Sequence, residues 1–419
     1  MSATVSRGAS ASIADTAREI IADVRSRGDA AVRDWSERLD HWAPKSFRLS
    51  AEEIERLVSA VPDEVIEDLR FCQAQVRCFA QAQRDAMTDV EIETVPGVRL
   101  GHRHIPVSSS GSYVPGGRYP MVASAHMSVI TAKVAGVGRV VACTPPLGGT
   151  PPPATIAAMT LAGADEILVL GGVQALAAMA LGTETIERVA MLVGPGNAYV
   201  AEAKRQLFGE VGIDLLAGPS EVLVIADETA DAVTVAADLL AQAEHGPTSP
   251  AVLITTSADL GERVRDEVDR QLADLPTEQI AGVAWRDHGR VIQVQDDEAA
   301  LRAADELAFE HVEVHTREPR WYLERLRNYG SLFLGPETTV AFGDKGIGTN
   351  HILPTAGAAR YTGGLWVGKF LKTVTHQTCT REAGAVIGAV CARASRLEHF
   401  EGHARSCDLR VEAAGPPER

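Results

Sequence analysis

The N-terminal part of the chain repeats apolar residues at the spacing of an amphipathic helix. In "SIADTAREIIADVRSRGDAAVRDWSERLD" the apolar positions recur every three or four residues, and Gly28 interrupts the pattern. The same periodicity resumes after residue 50. The pattern predicts helices over residues 13–40, with a break at Gly28, and over residues 51–88.

The middle of the chain has a different pattern of apolar residues, in which short apolar runs alternate with alanine-rich helical stretches. This alternation is typical of βαβ units on a parallel sheet. The predicted strands are "RVVACTP" (139–145), "EILVLGG" (166–172), "VAMLVGPG" (189–196), "SEVLVIAD" (220–227), "PAVLITTS" (250–257), "RVIQVQD" (290–296), "VEVHT" (312–316) and "SLFLG" (331–335). We therefore predict an α/β fold with two sheets. The segment "IPVSSSGSYVPGGRYP" from Ile105 is interpreted as turn-rich, and the tail after "ILPTAGAARYTGG" as helical.

Composition and charge narrow the possible partners. The 419-residue chain has 40 lysines and arginines against 56 aspartates and glutamates, a formal net charge of -16 at pH 7. This balance disfavours nucleic acid and anionic membranes as main partners, although it allows a local basic pocket. No apolar run is long enough to span a bilayer, and the N-terminus has no apolar signal core. The six cysteines form no C-x-x-C pair, so we expect reduced thiols in a cytoplasmic protein.

A polar pair stands at the end of an alanine-rich helical pattern, in "DLLAQAEHGP". Gln242 and His245 are three residues apart and therefore project from one face of a helix. This spacing suits two ligands of one metal ion. It also suits an ordinary polar helix end, where a histidine favours the negative end of the helix dipole.

Glycine-rich turns stand where a strand or loop gives way to a helix, in "GSYVPGG", "LGGVQ" and "VGPGNAYVAEAK". Such turns let the backbone approach a ligand and direct helix N–H groups towards phosphate. Glycines are also common in ordinary turns between a strand and a helix that bind no ligand. No G-x-G-x-x-G motif opens the first βαβ unit.

Three further groups of polar residues are candidates for chemistry. Glu310 and His311 stand side by side just before a strand, where they could divide proton transfer or form a solvated loop pair. His403 lies four residues after His399 on the last predicted helix, a spacing that can chelate zinc but is also typical of a solvated helix face. The loop "FGDKGIGTNHILPT" carries polar residues between glycines and is interpreted as facing a ligand: Asp344, Lys345, Asn350 and His351.

In their order along the chain, these blocks resemble the histidinol dehydrogenase family. The resemblance runs from about residue 15 to 413 and rests on "YVPGG", "GGVQALAAMALGTETI", "VGPGNAYVAEAKR", "DLLAGPSEVLVIAD", "LLAQAEHGP", "EHVEV", "FGDKGIGTNHILPT" and "LEHFEGHARSCDLRV". It implies a zinc ion and NAD as cofactors. The implied zinc ligands are Gln242, His245, Asp344 and His403, the last supplied by the partner subunit.

The resemblance also implies roles for other residues. Glu310 and His311 match the catalytic Glu-His pair of the family. The positions that match cofactor contacts are Tyr113, Gln174 and Asn197, and those that match substrate contacts are Ser220, His351 and Glu398. The implied reaction oxidises a primary alcohol to a carboxylate in two steps with two NAD. His311 would take the hydroxyl proton and Glu310 would activate water to hydrate the aldehyde.

The organisation expected from these features is two Rossmann-like parallel-sheet domains with helical N-terminal and C-terminal segments, in an intertwined homodimer with shared active sites. Residues 1–20 would form an N-terminal arm, and residues 21–111 with 222–366 a first α/β domain. Residues 112–221 would form a second α/β domain. Residues 367–419 would form a helical C-terminal segment that contributes to the partner's site.

The chain departs from the family pattern at one position that bears on the substrate. Histidinol dehydrogenases carry a Glu four residues before the zinc Asp, where it serves the ammonium group of the substrate, and here that position is Val340. A buried cation without its carboxylate partner costs several kcal/mol. Positive residues occur nearby in the sequence instead: Arg118, Lys345, Arg360 and Lys369, the last where the family usually has an acidic residue. These changes predict a small anionic hydroxy substrate.

"ETTVAFGDK", "AARYTGGL" and "KFLKT" are similar to the branch of the family that contains sulfopropanediol 3-dehydrogenase. The resemblance implies oxidation of 2,3-dihydroxypropane-1-sulfonate to 3-sulfolactate. Two alternatives stay open: oxidation of L-histidinol, with the ammonium group held by another carboxylate, and an inactive paralogue that acts as a binding protein. The complete set of metal positions and the Glu310–His311 pair disfavour the inactive paralogue.

Overall fold

The structure, a computed structural model, describes residues 7–116, 119–216 and 218–414. The chain divides into two compact units. The larger unit comprises Met1–Arg84 and Val107–Phe370, and the smaller unit comprises Asp85–Pro106 and Leu371–Arg419. None of the described helices is both long and apolar enough to cross a bilayer.

Helices and strands alternate through most of the chain that the structure describes. The helices are α1 (Arg7–Arg27), α2 (Asp29–Asp40), α3 (Ala51–Ser59), α4 (Asp63–Asp85), α5 (Ala123–Ala125), α6 (Thr131–Ala135), α7 (Pro153–Ala162), α8 (Gly172–Leu181), α9 (Ala198–Leu207), α10 (Ala232–Ala243), α11 (Ala258–Asp274), α12 (Glu278–His288), α13 (Asp297–Leu307), α14 (Pro319–Leu323), α15 (Val340–Lys345), α16 (Arg381–Leu397) and α17 (Glu401–Ala414). A π-helical turn, His126–Ile130, joins α5 to α6, and short 3-10 helices occupy Ala358–Arg360 and Val367–Phe370.

The strands are β1 (Val90–Val95), β2 (Val98–Pro106), β3 (Ser109–Tyr113), β4 (Arg139–Thr144), β5 (Glu166–Val169), β6 (Met191–Val193), β7 (Gly212–Ile213), β8 (Val222–Ala226), β9 (Ala251–Thr255), β10 (Arg290–Gln293), β11 (His311–His315), β12 (Ser331–Leu334) and β13 (Leu371–Cys379). All eight strands predicted from apolar runs are present.

The N-terminal helices follow the apolar periodicity with one additional break. Gly28 separates α1 from α2 and has a φ of 54°, a left-handed conformation that a glycine adopts at low cost. The helix predicted over 51–88 is divided into α3 and α4, with Ala60, Val61 and Pro62 between them. Ser50 begins α3 with a capping box, in which its side chain accepts from the Glu53 N–H. The break at Pro62 follows because a proline disfavours helical backbone at the residue before it.

The first sheet of the larger unit has the strand order β5-β4-β3-β6-β7, and all of its neighbours are parallel. Its central strand β3 has the sequence "SSGSY", which lies within the segment interpreted as turn-rich. Every residue of β3 is buried. Gly111 lies where a Cβ would approach the Met179 sulfur at 2.9 Å, so α8 packs closely against this strand. The strand was not predicted because small polar residues replace the usual β-branched ones.

The second sheet of the larger unit has the order β10-β9-β8-β11-β12, again all parallel. Apolar side chains of β8 and β9 alternate between two core clusters. One cluster includes residues of α10, α11 and α12, and the other includes residues of α13 and α14. Helices therefore cover both faces, as the continuous apolar runs of these strands indicate.

The smaller unit contains an antiparallel sheet and a pair of helices. The sheet has the order β1-β2-β13, and α16 packs on α17. The prediction of a helical segment over 367–419 is wrong for β13, which pairs with β2 along its whole length. The strands "VRLGHRHIP" and "LKTVTHQTC" mix polar and apolar residues, and none of their residues is buried, so no buried apolar run marked them. The predicted domain boundaries stay predictions.

Candidate active site

Three of the four predicted metal ligands lie in the larger unit. Gln242 is on the last turn of α10, His245 follows the end of that helix, and Asp344 is on α15. The His245 Nε2 lies 4.0 Å from Asp344 Oδ2. Gln242 is 1% exposed, and neither its Oε1 nor its Nε2 has a hydrogen-bond partner. Because buried amides are nearly always hydrogen-bonded, this side chain lacks a ligand for its oxygen.

These residues fit a zinc ion. An imidazole nitrogen, a carboxylate and an amide oxygen are donors that zinc accepts. The separation between His245 Nε2 and Asp344 Oδ2 is too long for a hydrogen bond and leaves space for an ion between the two atoms. The unsatisfied Gln242 oxygen would gain a partner from the same ion.

The fourth predicted ligand, His403, lies on α17 of the smaller unit, together with Glu398 at the C-terminal cap of α16. His403 is exposed, and its ring centroid lies 5.3 Å from that of Phe400. Its role as a ligand from the partner subunit stays a prediction, as does the substrate contact of Glu398.

Glu310 and His311 lie at the amino end of β11 and are both buried. The His311 Nδ1 lies 3.0 Å from the Glu221 carbonyl oxygen. A carbonyl only accepts, so this hydrogen bond places the proton on Nδ1 and leaves Nε2 with a lone pair. Nε2 lies 4.0 Å from Asp344 Oδ1, on the side of the predicted metal ligands. Burial lowers the pKa of His311 to about 4, so its neutral, basic form predominates at neutral pH.

The Glu310 carboxyl is oriented by its neighbours. The Ser220 hydroxyl donates to Glu310 Oε2 at 2.7 Å, and the Glu221 N–H donates to the same oxygen at 3.2 Å. The Glu310 Oε2 lies 3.6 Å from His311 Nδ1, so the structure brings the Glu-His pair together. Burial raises the pKa of Glu310 well above its ordinary value. A carboxylate in such surroundings is a stronger base than one in water.

His351 supports Asp344 from the other side. Its Nδ1 lies 2.9 Å from the Asp344 carbonyl oxygen, and its Nε2 lies 3.0 Å from the Ser124 hydroxyl. The Nδ1 therefore carries the proton, and Nε2 accepts from Ser124. His351 and Ser220 thus both lie within hydrogen-bond reach of predicted site residues, although substrate contact by either stays a prediction.

The described cationic residues have different surroundings and partners. Lys345 is exposed, next to Asp344. The guanidinium of Arg360 donates to the carbonyl oxygens of Gly357 and Glu306, and Lys369 Nζ donates to the Thr362 hydroxyl at 3.0 Å. Arg118 lies outside the described residues.

Val340, four residues before Asp344, is 6% exposed and packs in the apolar core beside the second sheet. Its surroundings include Leu239 and Phe333 of the same cluster. The side chain at this position is therefore apolar and packs on apolar neighbours, while the Val340 backbone N–H donates to the buried Glu313 carboxyl at 2.7 Å.

The three predicted cofactor contacts line one cavity of about 430 Å³ at the carboxyl ends of the first sheet. The Tyr113 hydroxyl accepts from the Gly172 N–H at 3.2 Å, and Gln174 donates to Asp40 at 3.0 Å. Asn197 caps α9, because its side-chain oxygen accepts from two backbone N–H groups of the first turn. The exposed N-terminus of a capped helix beside a cavity suits a phosphate.

A second cavity, of about 730 Å³, shares Asn197 with the first and is also lined by Ser220 and His245. The predicted cofactor contacts and the predicted metal ligands are therefore adjacent in the larger unit. A small substrate in the second cavity would lie between them.

The turn after β6 is held by a buried ion pair. Lys204, 2% exposed, forms an ion pair with Asp214 and donates to the Gly194 carbonyl oxygen at 3.0 Å. The Asp214 Oδ2 accepts from the Gly194 N–H at 2.7 Å. Gly194 has a φ of 117°, and a Cβ there would collide with the Tyr113 carbonyl oxygen. This glycine is therefore required for the close approach of the turn to the cofactor cavity.

Sequence reasoning missed several residues that the structure places at the site. Glu221 accepts from the Glu310 and Ala356 N–H groups and orients His311 through its carbonyl oxygen. Asp40 orients Gln174, and Ser124 contacts His351. Glu221 follows Ser220 in "PSEV", but nothing in that motif distinguishes its carboxyl from a surface one. Asp40 and Ser124 reach the site only through tertiary contacts.

The fold is of the α/β class with parallel sheets, and its cleft combines a metal-compatible donor set with a cofactor-sized cavity. The family model "Histidinol dehydrogenase" matches residues 4–411. The chain belongs to the histidinol dehydrogenase family, a family of NAD-dependent dehydrogenases.

Individual relatives agree with this assignment. A histidinol dehydrogenase homolog of Shouchella clausii is 61% identical over 96% of this chain and 95% of that protein. A sulfopropanediol 3-dehydrogenase of Ruegeria pomeroyi is 47% identical over 99% of this chain and 95% of that protein. The crystal structure of histidinol dehydrogenase from Elizabethkingia anophelis has a TM-score of 0.92 and 33% identity, covering 96% of this chain and 93% of that chain.

Proposed function

We propose that this protein is a zinc-dependent and NAD-dependent dehydrogenase that oxidises a primary alcohol of a small anionic substrate to a carboxylate. The candidate reaction is 2,3-dihydroxypropane-1-sulfonate to 3-sulfolactate. The observation that carries the choice of an anionic substrate is Val340, a buried apolar residue at the position where the family resemblance implies a carboxylate for an ammonium group. The similarity to the Ruegeria pomeroyi sulfopropanediol 3-dehydrogenase supports the candidate substrate.

Gln242, His245 and Asp344 would hold the zinc ion with His403 of a second copy, and Tyr113, Gln174 and Asn197 would contact NAD. When bound, zinc polarises the alcohol oxygen and NAD accepts the hydride. The unsatisfied Gln242 amide and the adjoining cavities support this assignment.

The residues of the chain would manage the protons. His311 would accept the hydroxyl proton at Nε2, which is free because Nδ1 is held by the Glu221 carbonyl oxygen. The substrate carbon would lose a hydride to the first NAD, which gives an aldehyde. Ionised Glu310 would remove a proton from water that adds to the aldehyde. The hydrate would then lose its carbon-bound hydrogen as a hydride to a second NAD and its hydroxyl protons to solvent, which gives the carboxylate. Ser220 and the Glu221 N–H keep one Glu310 oxygen in place during these steps.

A homodimer would complete the site, as the family resemblance implies. In the smaller unit, apolar side chains on α16, α17 and the turn between them are exposed: Val386, Val390, Leu397, Phe400 and Leu409. Leu397 alone is 83% exposed. A second copy of the chain that covers these side chains would remove apolar surface from water and bring His403 to the partner's site.

One alternative keeps the chemistry and changes the substrate to L-histidinol. It is favoured by the 33% identity to the solved histidinol dehydrogenase. Because residue 340 is a valine, this alternative requires a carboxylate at another position to bind the substrate ammonium group.

Purified protein with zinc and NAD, assayed for NADH formation on each compound, separates the two substrates. We expect turnover of 2,3-dihydroxypropane-1-sulfonate and no turnover of L-histidinol. Glycerol, which has the diol but no anionic group, is the matched control, and it should be oxidised far more slowly. NADH formation with L-histidinol alone would overturn the proposed substrate, and no NADH with any of the three would favour a binding protein.

Val340→Glu tests the charge argument directly. The new carboxylate should raise the KM for the sulfonate, by about tenfold or more for a loss of 1.4 kcal/mol, and leave the zinc content unchanged. Val340→Gln, of nearly the same size and without charge, is the control for disturbed packing. Equal KM values for the two variants would remove residue 340 from the substrate assignment.

A further inference from the structure

A second group of potential metal donors lies in the larger unit, separate from the predicted zinc ligands. It consists of Asp238 on α10 with Glu313 and His315 on β11, and its ligand atoms lie within 4.8 Å of one another. The His315 Nε2 is 3.7 Å from Glu313 Oε2 and 3.8 Å from Asp238 Oδ2. In the sequence, His315 had no partner at an informative spacing. The structure supplies two.

With both acids ionised, the polar atoms that face one another in this group have no hydrogen-bond partner. Glu313 is 0% exposed and His315 is 2% exposed. Asp238 Oδ2, Glu313 Oε2 and both ring nitrogens of His315 are buried and unsatisfied. No described lysine or arginine forms an ion pair with either carboxyl. Each unsatisfied polar atom in the interior costs about 1–3 kcal/mol, so the group lacks a partner that would satisfy several atoms at once.

The remaining carboxyl oxygens fix the orientation of both acids. The Thr339 hydroxyl donates to Asp238 Oδ1 at 3.0 Å, and the Val340 N–H donates to Glu313 Oε1 at 2.7 Å. Each acid therefore uses one oxygen to hold the start of α15 and leaves its other oxygen facing His315. The protein therefore fixes the orientation of the Asp238 and Glu313 carboxyls, and an ion could occupy the space between these carboxyls and His315.

We propose that Asp238 Oδ2, Glu313 Oε2 and His315 Nε2 form a second divalent metal site, structural rather than catalytic, for zinc or a similar first-row ion. Two ligands at about 2.1 Å from zinc with an angle of about 120° are about 3.6 Å apart, close to the separations of His315 Nε2 from the two carboxyl oxygens. One nitrogen and two carboxylate oxygens are a donor set that such ions accept.

The position of this site gives it a function that does not depend on the identity of the substrate. Side chains two apart on a strand share a face, so Glu313 and His315 lie on the same side of β11 as His311. Asp238 is one helical turn before Gln242 on α10. Through Thr339 and Val340 the same acids hold the helix that carries Asp344. An ion here would join the three elements that position the catalytic base and the predicted zinc ligands.

Metal content of five purified proteins tests the proposal. We expect about two metal equivalents per chain in the wild type, about one in His245→Ala, about one in His315→Ala and none in the double variant. Glu221→Gln, which changes another buried carboxyl that already has hydrogen-bond partners, should keep the wild-type content. One equivalent in the wild type that His315→Ala leaves in place would overturn the second site and would indicate that Asp238 and Glu313 share a proton instead.

Crystals of the wild-type protein give an independent measurement if His315→Ala does not fold. Anomalous difference maps at the zinc edge should contain a peak between Asp238, Glu313 and His315, besides the one at Gln242 and His245. A peak at Gln242 and His245 alone would contradict the second site and leave the proposed dehydrogenase intact. A peak only between Asp238, Glu313 and His315 would support the second site and contradict the proposed zinc site of the dehydrogenase.

Discussion

The two sheets of the larger unit have the same topology but present their candidate site residues at opposite edges. Numbered along the chain within each sheet, the strand order of both is 3-2-1-4-5. In the first sheet the cofactor cavity lies at the carboxyl ends, where Tyr113 ends β3 and Gly194 follows β6. In the second sheet Glu221 precedes β8, and His311 begins β11, so the candidate catalytic residues lie at the amino ends.

The difference between the two sheets shows which part of the candidate active site can be located from strand topology. In open α/β sheets, ligands usually bind outside the carboxyl ends, where the strand order reverses. The first sheet follows this rule between β3 and β6. The second sheet does not, because its amino edge carries a buried carboxyl and a buried imidazole, and Asp344 of α15 lies 4.0 Å from that imidazole. The rule therefore locates the candidate cofactor cavity and misses the candidate catalytic residues.

The largest effect is expected at the amino edge of the second sheet. His311→Asn removes the basic Nε2 and should lower kcat by about 10²–10⁴-fold. NAD affinity, measured by titration of the enzyme, should be unchanged because the cofactor cavity belongs to the other sheet. Retention of kcat within a few-fold would contradict the role of His311. A parallel loss of NAD affinity would show that the two edges do not act separately.

At the carboxyl edge of the first sheet, Lys204→Met leaves Asp214 buried without its cation. Such a change costs about 3–5 kcal/mol of unfolding free energy, measured by urea denaturation. The double variant Lys204→Met, Asp214→Asn should recover part of this loss, because the uncompensated charge is gone. If the double variant is no more stable than Lys204→Met, the loss comes from packing and not from charge.

The pH dependence of stability should report on Glu221. Burial raises the pKa of Glu221 to about 7 from 4.5. The folded state therefore binds more protons than the unfolded state between these values, and stability falls as pH rises from 4.5 to 7. Glu221→Gln should reduce this fall by about 2–3 kcal/mol, since one pKa unit corresponds to about 1.4 kcal/mol. Urea unfolding at pH 4.5 and at pH 7 measures this change in unfolding free energy. The remaining slope reflects the other buried acids with raised pKa values, among them Glu310 and Glu313. Equal slopes in wild type and variant would contradict the raised pKa of Glu221.

The smallest effect is expected from Gly194→Ala, which tests the close approach of the turn after β6. The added Cβ collides with the Tyr113 carbonyl oxygen and should raise the KM for NAD about tenfold. Gly209→Ala is the matched control, because Gly209 has a φ of 102° and a Cβ there meets nothing within 4 Å. Equal KM values in the two variants would show that positive φ, and not the contact with Tyr113, limits cofactor binding.

The sequence predicted most of the parallel strands because their residues are buried on both faces and form continuous apolar runs. It did not predict β3, whose serines and glycine pack under α8, nor the mixed polar strands β1, β2 and β13. The family resemblance, which rests on short motifs, identified the Glu310–His311 pair and the predicted metal ligands. Motifs did not reveal Glu221, whose carboxyl and carbonyl orient both members of that pair.

By itself the sequence determined the family, the α/β class and the residue types available for chemistry, because these are set by local periodicity and by short motifs. Only the tertiary structure decided which side chains share one space. Examples are the unsatisfied Gln242 amide, the 4.0 Å approach of His311 Nε2 to Asp344, and the meeting of Asp238 with Glu313 and His315. The physical reason is that desolvation and ligand geometry depend on atoms far apart in the chain, and no local pattern encodes that distance.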